Sequence, residues 1–168
     1  MAKFPFYHQH DQMDCGPTCL RMIAAHYGKR FSLEELREKS HFTRGGVSLL
    51  GISEAASNLG FRTLGVYVGF EELKTKAPLP CIVYWNQQHF VVVYDIKTIK
   101  GEDYVYVADP GAGALKYTKE EFCHSWLSTR KDGADVGIAL LLEPMPDFYD
   151  QKDVEKKKLV DSLSSFHI

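Results

Sequence analysis

No stretch of the chain approaches the roughly 20 consecutive apolar residues that a membrane-spanning helix needs, and the opening Met1-Ala2-Lys3-Phe4-Pro5 lacks the apolar core of an export signal. A soluble protein that is not secreted is therefore expected. Cysteine is scarce: Cys15, Cys19, Cys81 and Cys123 are the four among 168 residues, and they sit inside apolar or helical patterns rather than in the dense framework of a small stapled domain. That argues against a disulfide scaffold and for a reducing, cytoplasmic setting. An excess of one charge is missing too. Lys and Arg number 20 against 22 Asp and Glu, a formal net charge of -2, so no nucleic-acid partner is expected. There is no internal repeat, which excludes an array. Gly45-Gly46 is not followed by the Lys-Ser/Thr of a P-loop, so nucleotide binding is not expected either.

What is present is enough apolar residue, 45% of the chain, to bury one substantial core. The first dozen residues read as an extended arm leading to Cys15. A helix follows, with Pro17 tolerated in its first turn, Leu20, Ile23, Ala24 and Tyr27 at helical spacing, and Gly28 as its stop. Ser32 and Glu35 form a capping-box pair for a short second helix ending near Lys39. A third helix is predicted from about Ser48 to Leu59, with Gly60 just past its end. From Phe61 the pattern changes to β-branched and aromatic runs, and strands are predicted at Phe61–Val68, Cys81–Trp85, Phe90–Asp95, Tyr104–Asp109 and Val136–Leu142. Helical interruptions are expected at Phe70–Lys76 and after Thr118, where Thr118 and Glu121 repeat the capping-box spacing. The class is α+β: an N-terminal helical lobe followed by a mostly antiparallel sheet. Residues 1–145 read as one domain and 146–168, with Lys156-Lys157-Lys158, as a charged linker. That basic run is most simply a solvated segment, with a membrane-surface role as the alternative.

Chemistry concentrates on three residues. A nucleophilic thiol needs positive charge nearby to persist as thiolate, and a helix N-terminus supplies part of it to Cys15. The adjacent Asp14 works against this, so an imidazolium partner is required. Among the seven histidines, His89 opens a strongly apolar strand directly after the turn-like Asn86-Gln87-Gln88, a position that presents a side chain to a cleft from a fixed backbone. If residues 89–95 and 103–109 pair as a hairpin centred near Ile99, His89 and Asp109 fall opposite each other on one face. A turn at Lys100-Gly101 would shift this slightly. Asp95, on the strand of His89 itself and about 20 Å away at about 3.3 Å per residue, is the weaker carboxylate. Gln9 and Gln12 are candidate donors to an oxyanion, with the Cys15 N–H as the second donor.

The string Gln9-x-x-x-x-Asp14-Cys15-Gly16-Pro17-Thr18-Cys19-Leu20, followed by His89-Phe90-Val91-Val92 and Asp109-Pro110, resembles the bacteriocin-processing double-glycine peptidase domain of bacterial ABC exporters over about residues 5 to 144. The resemblance implies a papain-like cysteine peptidase that cuts a leader peptide after Gly-Gly or Gly-Ala. It implies Cys15 as nucleophile, His89 as base, Asp109 as the carboxylate that orients it, and Gln9 rather than Gln12 as oxyanion donor. Its implied partners are a precursor peptide with a double-glycine leader and the membrane and ATPase domains of an ABC transporter, at the cytoplasmic face of the inner membrane. No cofactor is expected. The charged tail then reads as a linker toward those domains or as the end of a stand-alone peptidase.

Other readings compete. Free cysteine is among the most buried residue types, so Cys19 and Cys81 are expected in the core, while Cys123 is undecided. His8, His10, Cys15 and Cys19 offer zinc-like ligand types, but their spacing matches no standard zinc pattern and no metal is expected. His26, His41, His124 and His167 read as surface or cap residues. Tyr67, Phe70, Tyr84 and Trp85 are candidates for a groove that receives an apolar leader helix, with a core role for each as the alternative. The rival functions are a module that grips leaders without cutting them, and another thiol hydrolase of transglutaminase or cell-wall amidase type.

Overall fold

A computed structural model describes residues 3–39 and 48–150. His41, Gly45-Gly46, His167, the Lys156–Lys158 run and the linker from residue 151 onward lie outside the described residues. After the arm and a single 3-10 turn (Gln12–Asp14), three helices follow, α1 (Cys15–His26), α2 (Leu33–Lys39) and α3 (Leu49–Asn58). Then come β1 (Phe61–Val68), α4 (Phe70–Lys76), β2 (Cys81–Trp85), β3 (His89–Ile99), β4 (Glu102–Asp109) and β5 (Gly113–Thr118). The last elements among the described residues are α5 (Lys119–Trp126), β6 (Leu127–Lys131), β7 (Ala134–Pro144) and α6 (Pro146–Tyr149). The described pairings are all antiparallel, in the order β1-β7-β2-β3-β4-β5, with β6 on β7. Among the described residues no helix is long and apolar enough to cross a membrane.

Local signals set the helix ends. Ser32 Oγ accepts the Glu35 N–H at 3.2 Å, Ser48 Oγ accepts that of Gly51 at 3.1 Å, and Thr118 with Glu121 forms a complete capping box. The central strands read as near-continuous apolar runs because helices cover both faces of the sheet. On one face Phe90, Val92, Ala108 and Leu140 pack under α1 and α3 through Leu20, Ile23 and Ile52. On the other Val91, Val93, Val105 and Val107 pack against Phe122 and Trp126 of α5 and Phe70 and Leu73 of α4. Each such fully buried side chain contributes about 1.5–3 kcal/mol by leaving water. Trp126 lies flat over Gly137, where a Cβ would come within 2.3 Å of the indole, and its Nε1 donates to the Ile138 carbonyl at 3.0 Å. Gly137 is thus the space in β7 that lets α5 dock.

Three expectations need correction. The β3–β4 hairpin turns at Lys100-Gly101, both at positive φ, and its strands run longer than the sequence pattern implies because the outer residues are exposed and carry no apolar alternation. β5 and β6 carry no strand signal for a related reason: neither buries a side chain fully, and their ladder bonds rather than their composition make them strands. The domain does not stop at 145. Phe148 of α6 is fully buried, with its ring 4.6 Å from that of Phe61 and 6.3 Å from that of Tyr27. Gly60, at φ 101°, has no Cβ to collide with the Phe148 backbone, and its carbonyl accepts the Met145 N–H at 3.0 Å. The polar composition around Pro146 hid one aromatic anchor.

Candidate active site

The first residue of α1 is Cys15, 7% exposed. Two tethers place it. One turn along, the thiol of Cys19 donates to the carbonyl of Phe90 at 3.3 Å, fixing α1 to the strand residue next to His89. The arm is fixed at the other side, where the Gln9 N–H donates to the Pro110 carbonyl at 2.9 Å, one residue beyond Asp109. Segments far apart in sequence therefore share one end of the sheet.

His89 begins β3 and pairs with Trp85 at the end of the β2–β3 hairpin. The turn between them is braced: Asn86 and Gln87 take positive φ, the Asn86 N–H donates to Ser125 at 2.9 Å, and the Tyr84 hydroxyl donates to the Gln87 carbonyl. The imidazole is consequently presented from a rigid frame.

Asp109 is 7% exposed at the end of β4, where its Oδ1 lies 2.7 Å from His89 Nε2 and accepts the Gly111 N–H at 2.9 Å. The expected register is off by two. Val92 pairs with Ala108 and Val93 with Val107, so continuing the ladder sets Asp109 across from Val91, diagonal to His89 rather than opposite it. The shared face survives for a reason the sequence hides. The Lys100-Gly101 turn alone would set His89 and Asp109 on opposite faces, but a bulge between Val93 and Asp95 absorbs one residue and restores the alternation. Asp95 itself is half-exposed, 3.8 Å from Lys97.

With Nε2 occupied by Asp109, Nδ1 is the ring nitrogen left to interact with the Cys15 thiol, which acts on the charge of the ring. The electrostatics follow from these contacts. Burial pushes the imidazole down, but the neighbouring Asp109 carboxylate and Cys15 thiol outweigh it and raise His89 from 6.5 to about 9. Asp109 is pushed up by burial and held below the usual carboxylate range by His89 and the Gly111 N–H. His89 thus interacts with both the Cys15 thiol and the Asp109 carboxylate, and an imidazole so placed can favour a thiolate and carry a proton.

The other sequence candidates divide. Gln9 lies beside Asp109: its Oε1 is buried without a hydrogen-bond partner, and a point 3.5 Å from that atom is also 3.5 Å from Asp109 Oδ1. Gln12 is exposed in the 3-10 turn. Asp14, expected to work against a thiolate at Cys15, makes no side-chain bond to the first turn of α1. It is fully buried and turned toward α2, where Arg37 Nε donates to Oδ1 at 2.7 Å and Nη2 donates to Oδ2. Sequence reasoning missed Arg37, since a lone Arg on a short polar helix carries no signal of its partner 23 residues away.

Cys19 and Cys81 are fully buried, and burial pushes both thiols up, Cys81 to about 12. Cys123 is half-buried. His26 and His124 are exposed in the last turns of α1 and α5. His8 and His10 are also exposed, whereas the Cys19 thiol is buried. Of the groove candidates, Phe70 and Trp85 are corrected to core residues, 6% and 5% exposed and packed with Phe122. Tyr67 and Tyr84 instead line a depression of about 550 Å³ with Gln87, Arg130 and Ile138. Alternation along the strands had left both options open.

The chain resembles known proteins over most of its length. The lactococcin-G-processing and transport ATP-binding protein LagD of Lactococcus lactis subsp. lactis is 34% identical over 164 residues, 95% of this chain and 21% of that protein. The colicin V secretion/processing ATP-binding protein CvaB of Escherichia coli is 30% identical over 164 residues, 96% of this chain and 22% of that protein. The chain thus spans about a fifth of the length of these relatives. Among solved structures, a double glycine motif protease from an AMS/PCAT transporter, in complex with its leader peptide, superposes with a TM-score of 0.72 at 35% identity. That match covers 86% of this chain and 94% of the other. The peptidase domain of Streptococcus ComA, a bi-functional ABC transporter involved in a quorum sensing pathway, superposes with a TM-score of 0.70 at 30% identity, covering 85% of this chain and all of that one. The α+β fold is therefore that of these peptidase domains. The peptidase C39 family matches residues 3–130, a span that takes in the arm, α1 and both strands of the His89–Asp109 hairpin, and the chain belongs to that family.

Proposed function

We propose that this chain is a cysteine endopeptidase that removes the leader of a bacteriocin-like precursor after a Gly-Gly or Gly-Ala pair. The observation that carries the reading is the convergence of Cys15, His89 and Asp109 at one end of the sheet, with His89 bonded to Asp109 and acted on by Cys15. Cys15 Sγ attacks the carbonyl carbon of the last leader residue, forming a tetrahedral adduct whose oxyanion is met by the Cys15 N–H and the Gln9 side-chain amide. Collapse expels the new amine, which takes the proton held on His89 Nδ1, and leaves a thioester. A water molecule then gives its proton to Nδ1 and attacks the thioester, freeing the leader acid and the sulfur. Throughout, Asp109 keeps the ring oriented and favours its charged form.

Glycine at the cut offers no side chain to grip, so affinity must come from elsewhere on the leader. The depression lined by Tyr67 and Tyr84 reaches Gln87, two residues before His89, and offers a leader both the cations Arg130 and Lys131 and the faces of two tyrosines and Ile138. The relatives named as processing and transport ATP-binding proteins support a setting beside the membrane and ATPase parts of an exporter, at the cytoplasmic face.

The test is incubation of a double-glycine precursor with wild type and Cys15→Ala, read by fragment mass. A single cut after the second small residue with wild type, and none with the variant, is expected. A precursor that binds wild type and stays whole would instead identify a leader-binding module.

A further inference from the structure

Asp14 occupies the N-cap of α1, where an aspartate ordinarily accepts a first-turn N–H of its own helix. Here its side chain makes no such bond. Its carboxylate turns the other way, accepting two bonds from the Arg37 guanidinium of α2 and the Asp11 N–H at 3.2 Å. The group is fully buried while the Arg37 side chain is one-third exposed, so Arg37 brings the countercharge in from the surface. Burial pushes the Asp14 carboxyl up, and the Arg37 bonds together with the Asp11 N–H hold it below the usual carboxylate range.

This geometry matters because Asp14 is bonded directly to Cys15. A helix N-terminus helps a thiolate only while its partial positive charge is not already compensated. An Asp side chain swung onto the Gly16 N–H would compensate it and set a full negative charge beside the sulfur. Pro17 has no N–H, so the first turn has few donors to share.

We infer that Arg37 is a positioning residue for the reaction: by clamping the Asp14 carboxylate against α2, it keeps negative charge off the N-terminal turn of α1 and away from the Cys15 sulfur. The inference rests on the reading of Cys15 as nucleophile. Other charged or titratable groups in the field of the clamp are His10, Asp11 and Glu34; those in the field of the sulfur are His89 and Cys19, with Asp109 bonded to His89. None of them replaces the two-pronged contact of a guanidinium with a carboxylate.

The experiment measures alkylation of Cys15 by iodoacetamide against pH, followed by mass spectrometry of the Cys15 peptide so that the other thiols do not contribute. Wild type, Arg37→Gln, Arg37→Lys and the double variant Asp14→Asn with Arg37→Gln are compared, with thermal unfolding of each alongside. In Arg37→Gln the acid limb moves up by about one pH unit, making alkylation about tenfold slower on that limb, because an unpaired carboxylate near a thiol disfavours its charged form. The double variant, with no charge to misplace, returns to the wild-type limb, and Arg37→Lys falls between. A lower melting temperature in Arg37→Gln with an unmoved limb overturns the inference and leaves Arg37 a structural residue. Should Arg37→Gln fail to fold, Arg37→Lys and the double variant decide alone: no displaced limb in the lysine variant overturns it. Cleavage that survives Cys15→Ala would remove the reading of the site itself, an outcome separate from any of these.

Discussion

Replacing Asp109 by Asn removes the charge that sustains the His89 imidazolium and almost nothing else. The side chains are close in size, and the amide oxygen can still accept the Gly111 N–H. In the native protein burial alone would push His89 below 6.5, yet the Asp109 carboxylate, and secondarily the Cys15 thiol, lift it to about 9. At about 1.4 kcal/mol per pH unit this is about 3 kcal/mol of net support for the charged ring. Because the folded value lies above the ordinary one, that support is complete below pH 6.5 and fades as pH rises through about 9. Without the carboxylate the dominant remaining influence is burial, so the high-pH limb of kcat/KM should move from near 9 toward neutrality. Loss of about 3 kcal/mol from the transition state lowers kcat/KM by about a hundredfold. The assay is cleavage of a double-glycine precursor by wild type and Asp109→Asn between about pH 5 and 10, with unfolding measured at both ends. The stability gap between the two proteins should be larger at the acidic end and narrow toward the basic end. Undiminished kcat/KM with a limb still near pH 9 would refute the role assigned to the carboxylate.

Phe148→Ala should destabilise the fold by about 3–5 kcal/mol, because its ring is wholly enclosed by Phe61 and Tyr27; a chemical denaturation midpoint unchanged by the substitution would exclude a structural role for α6. Trp85→Ala and Tyr67→Ala should separate core from groove. The first, 5% exposed, should lower stability by about 3–5 kcal/mol. The second, 51% exposed beside the depression, should leave stability within about 0.5 kcal/mol and raise KM for the precursor, as titration of cleavage rates would show.

Short-range physics made part of this protein legible in its sequence. The start of α1 at Cys15, its stop at Gly28, the caps at Ser32, Ser48 and Thr118, and the apolar runs of β2 and the central part of β3 depend on residues within about one helical turn or one strand of each other. The motif strings around Cys15, His89 and Asp109 pointed to a thiol peptidase before any geometry. What they could not contain is how distant elements meet. Register is a matter of parity: a single bulge next to Val93 decided that His89 and Asp109 share a face, and no residue there announces it. Trp85 and Tyr84 are adjacent aromatics of similar character, and only the arrival of α5 over one face of β2 made the first core while leaving the second to line the depression. The direction taken by Asp14 was likewise settled by α2, which brings Arg37 to it from 23 residues away. A chain determines its local elements through neighbours along the backbone, whereas the charge and contacts around a thiol such as Cys15 come from neighbours in space, which exist only once those elements have packed.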